Sequence, residues 1–575
     1  MTTLTMETHV NTKRLILIPI LIALLTACQT EVSDPPGTQP GPVAPASEDP
    51  REAIDAVGLM EKITVLSADE FGGRAPMSEG ERLTLDFLEK EFRSMGLDPL
   101  FGDQYRQAVP LVAIEAQGKL DLAISNSAGD PVLSFQNGPE SAVWTKHMVD
   151  EVTLDGSELV WAGFGIVAPE FGWDDYAGID VSGKTVIVLV NDPGFATQDQ
   201  ELFNGNAMTY YGRWTYKYEE AARQGAAGLL IVHQTDAAGY GWNVIEDGRR
   251  GPQFDLAKAN RNLDRVRVEG WLQYEAAERL LGAAGLDLDS LASTAAQGSE
   301  GSVALGLNVS VRIANRLEYA ESYNIGAIRR GSQRPEELFL YTAHWDHMGT
   351  TAHEPGAEGD FIYNGAQDNA SGTSGMLEIA EAWARAPAPQ RSVGFLAVTA
   401  EESGLLGSKA YADAPAVPMT HTVAGLNMDG LNFIGPMNDV VVVGFGSSEM
   451  EDVLSEVAQR TGRSLTPEDT PEKGYYYRSD HFNFAKKGVP FLYASGGTTH
   501  RTLGAEYVRE KRADYVSHRY HSPADEIQDD WDLDAAMEDL ILFYDIGDRV
   551  ANSEDWPEWY PGNEFRSIRE ASRSR

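Results

Sequence analysis

The chain has 575 residues, of which 42% are hydrophobic, and carries a formal net charge of −41 at pH 7. One hydrophobic core rarely serves a chain of this length, so two or three domains are expected. The strong negative charge argues against nucleic acid and anionic membrane surfaces as partners. Because only 11 histidines accompany 87 acidic residues, a histidine beside clustered carboxylates is the first place to expect metal chemistry.

The first 27 residues have the pattern of a secretory signal. Lys13-Arg14 precede an apolar run, 15–25, that is too short for a comfortable membrane span. The following Thr-Ala-Cys resembles the end of a bacterial lipobox, in which Cys28 is lipidated and becomes the new N-terminus. A plain secretion signal with an incidental cysteine is the alternative. Gln29 in the next position resembles lipoproteins sent to an outer membrane, so we expect an exported lipoprotein of a Gram-negative bacterium, held to the membrane only through its lipid.

Composition and patterning divide the rest of the chain into five segments. Residues 28–50, rich in Pro, Gly, Ser, Thr and Ala, are typical of a flexible tether. Residues 51–132 begin a globular domain that residues 296–552 complete, and residues 553–575 form a polar tail rich in arginine. Residues 133–295 form a separate unit without clustered His, Cys or paired acids.

That separate unit resembles the protease-associated domain. The resemblance lies in the strand–Gly183-Lys184–strand piece and in the helix and strand between Lys217 and Val232. In that family the unit is an insert that shapes access to a neighbouring active site and is not itself a catalyst. The resemblance therefore implies a smaller, β-rich α/β insert.

From about residue 303 onward, strands and helices alternate. Strands are predicted at 338–342, 392–399, 422–428 and 489–493, with helices at 371–386, 448–461 and 534–551 between and after them. This alternation predicts an α/β fold whose mostly parallel sheet has helices on both faces.

Candidate metal ligands follow three of these strands. His344 comes after the first, Glu401-Glu402 after the second and Asp429 at the end of the third. Because the carboxyl ends of parallel strands meet at one edge of a sheet, these side chains are expected to lie together. Asp368 precedes a helix and His521 lies in a loop before the last helix. Taken singly, each piece is as typical of a surface turn or a helix cap as of a site.

The chemistry of the set favours metal binding. Imidazole and carboxylate ligands without thiolate suit Zn²⁺, with Mn²⁺ or Co²⁺ as alternatives. Two histidines and three carboxylates exceed what one catalytic zinc needs, and they suit two ions if one carboxylate bridges. Neighbouring side chains at a strand end point in different directions, so one of Glu401 and Glu402 can hold metal while the other handles protons.

These segments resemble the ordered motif set of the M28 zinc peptidases, which include bacterial aminopeptidases and relatives of glutamate carboxypeptidase. The matching segments are His344-X-Asp346, Asp368-Asn369-Ala370-Ser371-Gly372, Glu401-Glu402-X-Gly404, Met428-Asp429-Gly430, Arg478-Ser479-Asp480-His481-Phe482, Lys487-Gly488-Val489-Pro490 and His521. The resemblance implies the zinc-peptidase (phosphorylase/hydrolase-like) fold and two zinc ions bridged by Asp368.

The resemblance also implies a role for each remaining residue. His344 and Asp429 complete one zinc site, Glu402 and His521 complete the other, and Asp346 orients His344. Glu401 is then the general base. His347, His353, His481, His500 and His518 match no ligand position and are expected to line the pocket or the surface.

The expected function is an exopeptidase acting on peptides, and specifically an aminopeptidase. Two alternatives remain open at this point. One is a glutaminyl-cyclase-like acyltransferase that uses a single zinc, and the other is a non-catalytic binding relative of the same fold.

Overall fold

The computed structural model describes residues 49–248, 251–298, 302–351 and 359–573. The predicted secretory signal, Cys28 and nearly all of the predicted tether lie outside these residues. Within the described ranges, no helix is both long and apolar enough to cross a membrane.

The described residues form helices and strands as follows. Helices α1 to α15 span Ala56–Leu66, Glu79–Ser94, Pro193–Thr197, Trp214–Arg223, Thr235–Ala238, Trp242–Asp247, Tyr274–Ala283, Leu288–Ala296, Gly372–Arg385, Leu406–Asp413, Met450–Arg460, His481–Ala485, Gly504–His518, Leu533–Ala551 and Arg566–Arg573. Strands β1 to β21 span Asp98–Pro99, Arg106–Gln117, Leu122–Asn126, Pro131–Phe135, Ser141–Trp144, Glu151–Trp161, Val167–Ala168, Trp173–Asp174, Thr185–Leu189, Gly228–Val232, Gln253–Leu256, Val268–Leu272, Val303–Arg329, Arg334–His344, Gly349–Thr350, Ile362–Tyr363, Arg391–Val398, Thr422–Asn427, Asp439–Val442, Ser464–Pro467 and Phe491–Ser495.

The main sheet has a parallel centre. Strand β14 lies between β17 and β18, and β18 pairs with β21, all in parallel. Antiparallel strands flank this centre, with β13 beside β17 and β19 beside β21. The predicted α/β fold with a mostly parallel central sheet is therefore confirmed.

Helices cover both faces of this sheet because its central strands are apolar on both sides. Along β14, Phe339 and Tyr341 belong to the core beneath α1, α2, α9, α11 and α14. The alternate residues Leu338 and Leu340 belong to a second core with side chains of α10 and α12. This period of two is that of a strand buried on both faces.

A second, smaller sheet belongs to the segment between the two parts of the main domain. Strands β6, β9, β10 and β12 run parallel to one another, and β5 pairs antiparallel with β12. One core of this sheet also includes Tyr476, Phe482 and Phe565, so the insert shares a core with later parts of the chain. The likeness of this unit to a protease-associated domain stays a prediction.

The long strand β13 joins the two sheets. Its first half pairs with β6 of the insert, from Val303↔Trp161 to Ala314↔Glu151, across two irregularities of register. Its last residues pair with β17 of the main sheet, from Ile325↔Ala397 to Arg329↔Val393. One strand therefore contributes to both sheets.

The insert contains a buried polar corner around Lys217. The Lys217 ammonium is fully buried and donates to the Asn191 carbonyl oxygen at 2.8 Å. Asp192 is also fully buried and accepts from the Thr209 hydroxyl at 2.8 Å and the Thr209 N–H at 3.1 Å. Asp175 accepts from two backbone N–H groups of the turn before β7. Each of these three charged side chains is therefore hydrogen-bonded to neighbouring protein groups.

The arginine-rich tail, which had no interpretation from sequence, supports the main sheet. Arg569 of α15 is fully buried and donates to the carbonyl oxygens of Thr422 and Val423 at 3.1 and 2.9 Å. These carbonyls begin β18, whose other end leads to Asp429.

Candidate metal centre

Three adjacent parallel strands deliver the candidate residues to one edge of the main sheet. Strand β14 ends at His344, which stands opposite Val398 at the end of β17. Strand β18 ends at Asn427, two residues before Asp429. Ala400 takes a left-handed conformation, with φ of 52°, so the chain turns sharply just before Glu401-Glu402. The order of the strands places these groups side by side.

His344, Asp368 and Asp429 form the first group of facing ligand atoms. The Nε2 atom of His344 lies 3.2 Å from Oδ1 of Asp429 and 3.3 Å from Oδ1 of Asp368. His344 is 1% exposed and Asp368 is buried, whereas Asp429 is partly exposed.

A second group shares Asp368 and adds Glu402 and His521. The Nε2 atom of His521 lies 3.3 Å from Oδ2 of Asp368 and 3.2 Å from Oε2 of Glu402. Asp368 therefore presents one carboxylate oxygen to each group. The five predicted ligands meet as two triads joined by a single carboxylate.

These separations fit zinc coordination. Zinc bonds to imidazole nitrogen and carboxylate oxygen are about 2.0–2.2 Å, so two ligand atoms on a tetrahedral ion lie about 3.3–3.5 Å apart. The four separations of 3.2–3.3 Å within the two triads are close to this value. The donor set and its spacing therefore fit the binding of zinc by these ligand groups.

His347 also faces Glu402, contrary to the expectation that it merely lines the pocket. Its Nδ1 atom lies 2.6 Å from Oε1 of Glu402, and it belongs to a candidate ligand group with Asp368 and Glu402. A separation of 2.6 Å is shorter than the tetrahedral spacing and matches a charge-assisted hydrogen bond. We interpret it as Nδ1–H donating to Glu402, whose other oxygen is then directed at His521. The sequence signal that could have indicated this role is the position of His347 directly after the His344-X-Asp346 motif.

Asp346 is fully buried beneath this cluster. Its Oδ1 atom accepts from the Glu401 N–H at 3.1 Å and lies 3.9 Å from Nδ1 of His344. The nearer partner of that histidine nitrogen is the Asp346 backbone oxygen, at 3.2 Å. Asp346 therefore contacts both His344 and the backbone of Glu401, and its carboxylate is hydrogen-bonded to the latter.

Two further contacts, which sequence reasoning missed, fix the ligand loops. The buried Asp525 accepts from the N–H groups of Gln367 and Asp368 at 3.1 and 3.0 Å. The Ser479 hydroxyl donates to Oδ2 of Asp429 at 2.6 Å. Asp525 lies shortly after His521, and Ser479 lies within the Arg478–Phe482 motif. The spacing of these segments in the sequence does not indicate either contact.

Gly365 is required where the ligand loop passes closest to His347. Its φ is 56°, and a Cβ atom there would lie 2.3 Å from the Asp368 carbonyl oxygen and 2.5 Å from the His347 ring. A side chain at this position would push Asp368 and His347 apart.

Burial and the neighbouring carboxylates act in opposite directions on the pKa values of the two histidines. Burial disfavours protonation of His344, but the charges of Glu401 and Asp429 outweigh it and raise its pKa. Burial likewise acts against protonation of His521, yet its hydrogen bonds to Asp368 and Glu402 raise its pKa to about 10. Protons on these histidines occupy the place that cations would take, so metal binding is expected to release protons.

Glu401 differs from its neighbour Glu402. Burial raises the pKa of Glu401, and the negative charges of Asp429 and Glu402 add to this effect against the opposing His344. Burial also disfavours the charged form of Glu402, but hydrogen bonds from His347 and His521 lower its pKa to about 2. Of this adjacent pair, one carboxyl is suited to carry a proton and the other to stay charged.

The other discounted histidines lie away from the triads, except that His353 falls outside the described residues. His481 is fully buried between the rings of Tyr476 and Tyr493. His500 accepts from the backbone N–H groups of Thr502 and Leu503. None of these contacts involves a candidate ligand.

Comparison with known proteins shows which proteins this part of the chain is similar to. Residues 324–544 match the model of Peptidase family M28. Aminopeptidase NAALADL1 of Mus musculus is 31% identical over 139 residues, which are 22% of this chain and 16% of that protein. A probable zinc metalloprotease of Leptosphaeria maculans is 30% identical over 118 residues, 20% of this chain and 26% of that protein. The matches thus span less than a third of either curated relative.

Solved structures give a weaker likeness over a longer range. The aminopeptidase from Aneurinibacillus sp. strain AM-1 is 18% identical, with a TM-score of 0.46, covering 88% of this chain and 96% of that one. The zinc aminopeptidase BSAP from Bacillus subtilis is 17% identical, with a TM-score of 0.41, covering 89% and 99%. The matched residues 324–544 hold both triads and Glu401, so the similarity to Peptidase family M28 falls on the candidate metal centre.

Proposed function

We propose that this protein is a dinuclear-zinc exopeptidase, and specifically an aminopeptidase that releases N-terminal residues from peptides. The observation that carries the proposal is the pair of triads joined by Asp368, with the partly buried Glu401 following the same strand as Glu402. The predicted export and lipid anchor remain part of this proposal.

In this proposal, different residues of the chain bind the metal ions and transfer protons. His344, Asp368 and Asp429 would hold one zinc ion, and Asp368, Glu402 and His521 the other. Bound there, the two ions would act as Lewis acids on the peptide carbonyl and make water a stronger nucleophile at neutral pH. Glu401 takes a proton from the attacking water and returns it to the leaving amine. Asp346 holds the Glu401 backbone N–H and so fixes the position of that base.

The decisive experiment combines metal content with cleavage. The purified protein should bind two zinc ions per chain and cleave leucine 4-nitroanilide, and it should lose cleavage with a chelator or when the substrate is N-acetylated. Glu401→Gln should keep both ions and lower kcat by about 10²–10⁴-fold, the range for loss of a general base.

Three results would count against the proposal. One zinc per chain, together with cyclisation of N-terminal glutamine, would favour the acyltransferase alternative. Two zinc ions with no cleavage of any anilide or dipeptide would favour a binding protein. Near-normal turnover in the Glu401→Gln variant would remove Glu401 from its assigned role.

A further inference from the structure

A cavity of about 250 Å³ opens beside Asp429. Helix α13 forms one wall, and the segments that follow Asp429 and precede α14 form the other. Much of the lining is apolar or aromatic, and Phe433 and Trp531 stack with their ring centroids 3.9 Å apart. A pocket of this kind next to a catalytic centre is where a side chain or end group of the substrate enters.

Charged side chains of both signs line this cavity, with Asp429 and Asp530 as the acidic ones. Three cationic side chains line it, namely Lys511, Arg512 and Arg519. Two of them are neutralised: Lys511 lies 2.5 Å from Oδ2 of Asp530, and Arg519 pairs with Asp514. These two ion pairs account for their charges without a ligand.

Arg512 differs from Lys511 and Arg519 in the kind of group that it contacts. Its Nη2 atom donates to the Gly497 carbonyl oxygen at 3.0 Å. Among the residues that the structure describes, no carboxylate oxygen lies within the 4.0 Å that defines an ion pair with it. The side chain is half-buried, and burial lowers the pKa of its guanidinium despite the distant charges of Asp469 and Asp439. An anionic partner would stabilise this guanidinium, because a charge that is partly withdrawn from water is costly without one.

We propose that Arg512 binds a carboxylate of the substrate in this cavity. This inference rests on the proposed exopeptidase function and adds a substrate class to it. Guanidinium and carboxylate form charge-assisted hydrogen bonds, which are stronger in a partly desolvated site than in bulk water. The carboxylate has two sources, the side chain of an acidic N-terminal residue or the free C-terminus of a very short peptide.

The test compares substrates that differ only in this charge. Glutamate and glutamine 4-nitroanilides probe the side chain, and Leu-Gly and Leu-Gly-amide probe the free C-terminus. The wild type is expected to favour the charged member of one pair by about tenfold or more in kcat/KM, the factor for one charged hydrogen bond. The pair that shows this preference identifies the source of the carboxylate.

Arg512→Met should reduce that ratio to near one, whereas Arg512→Lys should keep part of it. Arg509→Met is the matched control, because Arg509 lies on the same helix, is exposed and pairs with Glu506. This control should keep the wild-type ratio. Inhibition of leucine-anilide cleavage by free glutarate gives an independent readout and should weaken in Arg512→Met but not in Arg509→Met.

Some outcomes would overturn the inference alone. If the wild type cleaves leucine anilide but discriminates in neither pair, the peptidase proposal stands and the carboxylate site does not. The same holds if Arg512→Met folds, as judged by circular dichroism, and retains the full preference. If no substrate of the panel is cleaved by zinc-loaded protein, the proposed function itself fails.

Discussion

Two buried clusters of charged groups, one at the strand ends of the main sheet and one in the insert, differ in what holds their charges. In the insert, the Lys217 ammonium donates to a backbone carbonyl and Asp192 accepts from Thr209. At the strand ends, the carboxylates of Asp368 and Glu402 are met chiefly by histidine nitrogens.

The difference separates a structural cluster from a binding site. Charges held by hydrogen bonds from the surrounding backbone and hydroxyls are completed by the fold itself. Facing acids and imidazoles at 3.2–3.3 Å need protons or cations between them. Burial alone therefore does not mark a metal centre, whereas burial with mutually facing ligand atoms does.

The largest expected effect comes from removing the shared carboxylate. Asp368→Ala takes one ligand from each triad, so both ions should be lost and peptidase activity should fall to background. Zinc per chain measured by mass spectrometry, alongside leucine-anilide turnover, tests this. Retention of two ions by a folded Asp368→Ala protein would contradict the bridging role.

Breaking the insert cluster should affect stability without affecting metal. Lys217→Met removes the buried cation whose charge interacts with those of Asp192 and Asp175, so the free energy of unfolding should fall by about 3 kcal/mol. Urea titration measures the loss. Zinc content of the folded variant should stay at the wild-type value, and loss of zinc would mean that the two clusters are not independent.

The smallest expected effect concerns His347, which we interpret as positioning Glu402 without being a ligand. His347→Phe removes the hydrogen bond, so affinity for the zinc that Asp368, Glu402 and His521 would hold should fall about 10–100-fold. His347→Asn can replace the Nδ1 donor and should restore much of it.

Competition with a chromophoric chelator gives these zinc affinities, and His518→Ala serves as an exposed control. Complete loss of one ion in His347→Phe at saturating zinc would instead make His347 a ligand.

Much of the main domain could be predicted because its signals are local. Apolar strands followed at once by His344, Glu401-Glu402 and Asp429 predict both a parallel sheet and the edge where these residues meet. Asp368 and His521 required the family resemblance, since neither ends a strand.

What could not be predicted depends on contacts between distant segments. His347 becomes significant only because Glu402 is 2.6 Å away, and Arg569 only because β18 begins beside it. Similarly, the place of Arg512 in the cavity wall becomes apparent only when α13 packs opposite the Phe433–Trp531 stack. The spacing of residues along the sequence does not indicate contacts between such distant segments.

The continuity of β13 limits how the insert can move. An insert joined by two loops could swing like a lid, but this one shares an unbroken strand with the sheet that carries the ligands. Opening it as a rigid body would require that strand to bend and its ladder hydrogen bonds to break. Admission of a peptide is therefore expected to depend on small adjustments near the rim, such as rotation of the exposed Tyr520 ring against His521, more than on swinging of the insert.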